Sequence, residues 1–199
     1  QAGRLREHHQ FGVEVFGAPE ATLDAELIAF ALNIFKNIGI DGLSVNINSI
    51  GCPNCRKAYN QALMRFLESK KEKLCSTCKE RLERNPLRVL DCKVPSCQEE
   101  LKDVPVILDY LCSECEEHFR NLKMTLTELQ IAYKVDPMIV RGLDYYSKTV
   151  FEIIYTNSQN ESLTVCGGGR YDGLTKQMGD IQTPGAGFGM GLERVLMVM

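Results

Sequence analysis

No stretch of this 199-residue chain comes near the roughly 20 consecutive apolar residues that a membrane-crossing helix requires. Neither sign of charge dominates: 23 Lys/Arg stand against 26 Asp/Glu, a formal net charge of −3, so no global basic field advertises a nucleic-acid binder. Internal repeats and low-complexity runs are absent, which excludes a repeat array or a long flexible linker. Histidine is scarce, with three residues, and no Ser-His-Asp or Cys-His grouping suggests a nucleophile. What remains is an ordinary globular composition, 44% hydrophobic and 25% charged. The length suits one domain, or one domain with an insertion.

Cysteine is the exception to this plainness. Eight of the nine fall between Cys52 and Cys115, mostly as CxxC pairs: Cys52/Cys55, Cys75/Cys78, Cys92/Cys97 and Cys112/Cys115. Secreted disulfide scaffolds are small and lack the long amphipathic stretches present here, so the thiols read as reduced and the protein as cytoplasmic. Four thiolates satisfy tetrahedral zinc, and eight suit two ions; reduced thiols in a helical module fit the same spacing. The pairing is not deducible from spacing. Cys52/Cys55 and Cys112/Cys115 lie at the root of the segment and could close one site, leaving Cys75/Cys78 with Cys92/Cys97. Cys166 reads as a small buried strand residue.

The chain divides into core, insert and core. His9–Phe16 alternates with period two and reads as a strand. Pro19 and Glu20 open a helix with Leu23, Leu27, Ala31, Ile34 and Phe35 at helical spacing, and Gly39 ends it. Leu43–Ile50 is strand-like. Helices are expected over Arg56–Glu68 and Lys71–Arg84, the second ended by Asn85-Pro86, and Leu108–Leu129 reads as mostly helical. Strand texture returns at Ile131–Val135, Thr149–Tyr155 and Ser162–Cys166, with a hairpin loop at Asn157–Glu161. A helix begins at Leu192. The boundaries implied are 1–50, 51–118 and 119–199. The insert is polarised, with eleven basic and five acidic residues from Arg56 to Lys93, then two basic and seven acidic from Val94 to Arg120. The basic half is either a solvated face or a surface for RNA phosphates, with Arg81, Arg84 and Arg88 as candidates.

Four motifs carry the chemistry: REHHQFGVEVFG (Arg6–Gly17), RGLDYYSKTVFE (Arg141–Glu152), CGGGRYDGL (Cys166–Leu174) and GAGFGMGLERV (Gly185–Val195). In this order they resemble the catalytic core of histidyl-tRNA synthetases, a class II aminoacyl-tRNA synthetase family of bacterial type. The resemblance implies an α/β (α+β) fold: an antiparallel sheet flanked by helices and interrupted by a mostly helical insertion. It implies activation of L-histidine by ATP with Mg²⁺, transfer to the 3′ end of tRNA(His), and a homodimer. The rival readings are the non-catalytic, synthetase-like regulatory subunit of ATP phosphoribosyltransferase, and a zinc-stabilised RNA-binding piece.

Attack of a carboxylate on the α-phosphate of ATP needs fixed cations, preferably arginines, whose planar fork matches phosphate oxygens. By resemblance, Arg194 contacts the ATP phosphates and Arg141 the α-phosphate and substrate carboxylate region. Arg4, Arg6 and Glu7 belong to the loop that meets ATP or the tRNA end, with Glu7 toward the adenine. A buried imidazole needs both ring nitrogens satisfied, which suits a carboxylate and a phenol. Glu14 and Tyr146 match the family's imidazole readers and Gln10 the holder of the α-amino group. Tyr145 and Tyr171 line the same pocket, though for Tyr145 aromatic core packing is a rival reading. Gln10, Gly12 and Glu14, two apart, share one strand face.

Gly167–Gly169 are expected to allow a tight strand-to-helix passage, with Arg170 and Asp172 as a structural ion pair. His9 matches a family histidine, His8 stands where an aromatic is usual, and His118 reads as exposed. The resemblance also implies that residue 1 falls inside motif 2 and residue 199 just after motif 3. The segment alone is then expected to be inactive or severely impaired, because a motif 2 arginine facing the transition state would lie outside it.

Overall fold

Strand alternation and helical periodicity sort the chain into a sheet with one greasy face. The computed structural model describes residues 6–141, 145–179 and 181–199. The strands are β1 (Gln10–Phe16), β2 (Leu43–Ser49), β3 (Tyr133–Val135), β4 (Ser147–Thr156), β5 (Ser162–Arg170) and β6 (Gly185–Gly191). They form one sheet in the order β1-β6-β5-β4-β2-β3, antiparallel except for the parallel β2–β3 pair. The helices among the described residues are α1 (Ala21–Asn37), α2 (Pro53–Lys70), α3 (Ser76–Arg84), α4 (Pro95–Glu100), α5 (Ser113–Glu128), α6 (Leu174–Met178) and α7 (Leu192–Val198). None is long and apolar enough to cross a membrane.

The apolar stripe of α1 (Ala25, Ile28, Ala31, Phe35) and that of α5 (Phe119, Leu122, Leu126) cover one face of the sheet. They meet Ile47, Phe151, Ile153, Phe188 and Met190 from the strands. Helix α1 stops where Gly39 takes φ +79°, a left-handed position glycine adopts without steric cost. Parallel neighbours cannot be joined by a tight turn. Here the β2–β3 crossover is the whole cysteine-rich segment. It has a smaller core of its own, centred on Tyr59, Leu63, Leu67, Leu82 and Val89.

Three expectations need correction. Lys71–Arg84 is not one helix: a short 3₁₀ turn spans Lys71–Lys73, Leu74 and Cys75 are extended, and α3 starts at Ser76. The break makes Cys75 the N-cap of α3 and turns its thiol toward other cysteines. Gly167–Gly169 lie inside β5, so the strand continues to Arg170 and the passage into α6 falls at Tyr171–Gly173. His118 is not exposed: only 8% of it reaches solvent, because α5 packs this residue against α1. The hairpin loop does form between β4 and β5, with Asn157 Oδ1 accepting the Gln159 and Glu161 amides at 3.0 and 2.9 Å.

Candidate functional site: a glycine-floored trough

The face of the sheet opposite α1 and α5 carries the motif side chains. On β1, Gln10, Gly12 and Glu14 point this way, paired with Gly191, Gly189 and Gly187 of β6. Gly167 and Gly169 of β5 pair in turn with Gly189 and Gly187. The middle of the sheet therefore has a floor without side chains, and the candidate site residues lie on it. A Cβ at Gly189 would overlap the Gln10 amide, and one at Gly187 the Glu14 carboxylate. At Gly167 it would stand 2.5 Å from Arg141 Nη1, at Gly169 3.0 Å from Tyr146 Cδ1, and at Gly185 2.5 Å from Tyr171 Cε2. These glycines act by leaving space rather than by bending the chain.

Five sequence-chosen residues meet in this trough. The Tyr171 hydroxyl donates to Glu14 Oε2, which fixes the carboxylate. Burial, then that hydrogen bond, pushes the Tyr171 phenol far up. Tyr145 stacks at 4.7 Å on Tyr146 and edge-on at 5.7 Å to Tyr171, and burial beside Tyr146 lifts it to about 12. The Arg141 guanidinium sits 5.5 Å above the Tyr146 ring, in cation–π range. It pairs at 3.4 Å with Glu152, a carboxylate that burial raises while Arg141 pulls it back. Arg141 Nε is buried and has no hydrogen-bond partner among the described residues. An orphan donor of this kind costs about 1–3 kcal/mol unless something accepts from it.

Next to this group opens a cleft of about 460 Å³, lined by His8, Gln10, Arg141, Cys166, Gly189 and Arg194. Arg194 lies in the first turn of α7, directly after the glycine strand, and donates to Thr164 O at 2.7 Å. The α7 end is tied to β1 by Glu193, which takes the His9 amide at 3.0 Å and pairs with His9 Nδ1 at 2.8 Å. These bonds from His9 hold the Glu193 carboxyl down at about 2. Arg6 is exposed, and Glu7 sits 3.5 Å from His9; neither lines the cleft. Arg4 falls outside the described residues. Arg81 donates to Arg88 O at 2.9 Å, while Arg84 and Arg88 are exposed.

Behind the trough is an ion cluster that the motifs gave only in part. Arg170 is fully buried and donates Nη2 and Nε to Asp24 at 2.6 and 3.0 Å, and Nη1 to Asp172 at 3.1 Å. The Ala18 and Glu20 carbonyls take further hydrogen bonds at 2.9 and 3.0 Å. So the Arg170–Asp172 pair exists, but Asp24 is the principal partner. Asp24 also meets His118 Nε2 at 2.8 Å. Burial opposes ionisation of Asp24, yet the His118 and Arg170 hydrogen bonds outweigh it and hold the carboxyl below its ordinary value. The available signal was an acidic residue on the apolar stripe of α1. Glu152 was missed too, although strand alternation places it opposite Gly167.

The eight cysteines assemble into two sets of four. Cys52, Cys55, Cys112 and Cys115 form one, Cys75, Cys78, Cys92 and Cys97 the other, with all sulfurs of a set within 4.8 Å of one another. All are free thiols. Three CxxC pairs start at a helix N-cap, namely Cys52 of α2, Cys75 of α3 and Cys112 of α5. Amide N–H groups and the positive end of the helix dipole favour a thiolate there. At Cys52, burial is outweighed by the Cys55 and Asn54 amides and neighbouring thiols, which bring it down to about 7. At Cys75, the Cys78 amide leads a similar group to the same result.

An antiparallel sheet with one helix-covered face, and motif arginines over a glycine floor on the other, is the core of a class II aminoacyl-tRNA synthetase. A sequence model described as histidyl-tRNA synthetase matches residues 1–195. A protein named histidine–tRNA ligase from Clostridium botulinum (strain 657 / Type Ba4) is 57% identical over all 199 residues, which cover 47% of that protein. The apo crystal structure of S. aureus histidyl-tRNA synthetase matches 97% of this chain and 47% of that one, with a TM-score of 0.76 and 36% identity. A Bacillus halodurans structure titled ATP phosphoribosyltransferase regulatory subunit/histidyl-tRNA synthetase shares the fold, with a TM-score of 0.64 and 22% identity over 96% of this chain and 53% of that one. The chain belongs to the histidyl-tRNA synthetase family, and it spans about half the length of the curated relative it matches.

Proposed function

We propose that the chain is the amino-acid-activating core of a histidine–tRNA ligase. The complete protein joins L-histidine to ATP as histidyl-adenylate and passes the histidyl group to the 3′ end of tRNA(His). The carrying observation is the trough: Glu14, Tyr146 and Tyr171 grouped beside Arg141, whose buried Nε has no partner among the described residues. Glu14, ordered by Tyr171, takes one imidazole N–H, and the Tyr146 hydroxyl faces the other nitrogen. Gln10 holds the α-amino group, and Tyr145 closes the side of the pocket. Arg141 spans the substrate carboxylate and the α-phosphate. Arg194 takes the outer phosphates, which enter with Mg²⁺ as their counter-charge, and Arg6 and Glu7 flank the nucleotide. With these cations fixed beforehand, the charge developing on the phosphates meets donors that need no reorganisation.

The same reading places the protein in the cytoplasm as a homodimer and offers Arg84 and Arg88 to tRNA phosphates. Arg81, already bonded to the Arg88 carbonyl, shapes that surface rather than presenting itself. Each four-cysteine set holds one zinc ion in this proposal. Its support is the sulfur spacing: tetrahedral zinc with Zn–S near 2.3 Å needs sulfurs about 3.8 Å apart. Cys52–Cys112 and Cys75–Cys92 both stand at 3.9 Å. Against the regulatory-subunit alternative stand Arg194, placed in the cleft, and the cysteine-rich segment itself.

The test is histidine-dependent pyrophosphate exchange by the complete gene product. Glu14→Ala should raise the histidine KM roughly ten- to hundredfold, as for loss of a charged hydrogen bond, with the ATP KM little changed. Arg194→Ala should cut kcat about 10²- to 10³-fold. Equal losses for histidine and ATP in the first variant would remove Glu14 as the imidazole reader, and full exchange in the second would remove Arg194 from the phosphates.

A further inference from the structure

The two cysteine sets stand in different relations to the trough. The first closes over the point where the chain leaves the sheet after β2 and the point where it comes back at α5. Its members come in equal number from both sides of that junction, Cys52 and Cys55 outgoing, Cys112 and Cys115 returning. The two sides already meet: Cys52 Sγ lies 3.9 Å from Cys112 Sγ, and the Cys112 amide donates to Cys55 Sγ at 3.1 Å.

Residues on both sides of this set are tied to the segments that carry the pocket tyrosines. Arg56, next to Cys55, donates to the Tyr146 carbonyl at 3.1 Å. Gly51, next to Cys52, accepts the Lys148 amide at 2.9 Å, and Ile50 donates back to the Lys148 carbonyl at 2.8 Å. Gly51 can do so only because it has φ +62° and no Cβ, which would stand 2.6 Å from the Cys55 Cβ. Lys148 itself is held at φ +51°, an unfavourable setting for a lysine that its neighbours must impose. On the returning side, Glu114 reaches Lys148 Nζ at 2.8 Å, and Lys148 Nζ lies 3.7 Å from Asp172. One turn after Cys115, His118 binds Asp24, which binds Arg170, the residue before Tyr171. The second set, Cys75, Cys78, Cys92 and Cys97, packs within the core of the helical segment, with Met138 and Val140 against it, and has no hydrogen bond to a pocket tyrosine among the described residues.

From this asymmetry, and resting on the zinc and histidine-pocket readings above, we infer that the zinc ion on Cys52, Cys55, Cys112 and Cys115 is a positioning device for the histidine pocket. The other ion holds the core of the helical segment and does not position the pocket tyrosines. The root ion fixes Cys52 and Cys112 against each other. That fixes Gly51 and Arg56 on one side and Glu114 and His118 on the other, and so the placement of Tyr146 and Tyr171 over Gly169 and Gly185. A displacement of about 1 Å in such a reader is enough for losses up to 10²-fold. The root cysteines touch no substrate, so the effect falls on histidine recognition rather than on the phosphates.

The complete gene product, loaded with Zn²⁺, decides this with three variants: the root pair Cys112→Ser/Cys115→Ser, the distal pair Cys92→Ser/Cys97→Ser, and Arg56→Ala. Zinc per chain, far-ultraviolet circular dichroism, and the KM for histidine and for ATP in pyrophosphate exchange are read for each. The unaltered protein should hold two zinc ions and each cysteine pair variant one. The root variant should show a histidine KM at least tenfold higher with the ATP KM within twofold, and the distal variant should keep both within twofold. Arg56→Ala, which leaves every thiol in place, should keep two ions and still raise the histidine KM several-fold; it carries the test if the root variant does not fold. An unchanged histidine KM in a folded root variant, an equal rise in the distal variant, or an unchanged KM in Arg56→Ala would overturn the coupling while leaving zinc binding intact. Unaltered protein without zinc would overturn the zinc reading as well, and the absence of histidine-dependent exchange in it would overturn the pocket reading.

Discussion

In the sheet, Gln10, Glu14, Arg141, Tyr146 and Tyr171 lie on a floor of ladder-bonded strands, above a core continuous through α1, α5 and strands β2, β4, β5 and β6. In the cysteine-rich segment, short helices joined by 3₁₀ turns share a smaller core that includes three of the cysteines themselves. The sheet achieves precision through backbone pairing and absent side chains. The segment has fewer apolar residues to bury, and its buried thiols gather in two sets of four. A floor built on glycine strands can be damaged by adding one carbon, whereas a cluster of buried thiols is altered by exchanging one of its members.

The sharpest way to break the sheet side of this comparison is its buried ion cluster. Asp24→Asn leaves Arg170 buried without its main counter-charge and should cost about 3–5 kcal/mol in denaturant unfolding. The pH dependence has a defined sign. A carboxyl held below its ordinary value adds stability that is complete above about pH 4, the unfolded value, and is lost as pH falls through the folded one. The unaltered protein should therefore lose stability more steeply in acid than Asp24→Asn; parallel acid limbs would show that Asp24 is not the group responsible.

A smaller effect, and a more local one, is expected from Gly189→Ala. The new Cβ must displace the Gln10 amide, an overpacking that typically costs 1–3 kcal/mol. If the trough holds the substrate, histidine binding by calorimetry should suffer more than melting temperature does. A variant that binds normally would mean that Gln10 swings aside harmlessly. The smallest change belongs to the helical segment: Arg84→Glu with Arg88→Glu, both exposed, should leave pyrophosphate exchange intact. The same pair should weaken tRNA binding and reduce its salt slope by about one for each phosphate that an arginine had neutralised. Unaltered salt dependence would make this surface an ordinary solvated face.

Much of the fold could be read from local pattern. Period-two alternation located β1, and helical spacing closed by Gly39 located α1. The polar run Asn157–Glu161 located the hairpin. The helix break inside 71–84 escaped the sequence because Lys71–Arg84 has no proline or glycine, and what interrupts it is the distant company of Cys92 and Cys97 around Cys75. His118 was misplaced for a similar reason: on a charged helix its burial depends on Asp24, 94 residues earlier. The glycines of β5 and β6 were visible as a cluster, but their service as a floor depends on strand register.

By itself the sequence determined the residue types, their spacing and the family to which the motifs belong, because these are properties of neighbours along the chain. Tertiary structure alone decided that Cys52 and Cys55 gather with Cys112 and Cys115, that Asp24 rather than Asp172 is the main anchor of Arg170, and that Tyr171 orders Glu14. Each of those facts joins segments tens to well over a hundred residues apart, and only the closing of the sheet and the return of α5 at the root cysteines bring such atoms within bonding distance.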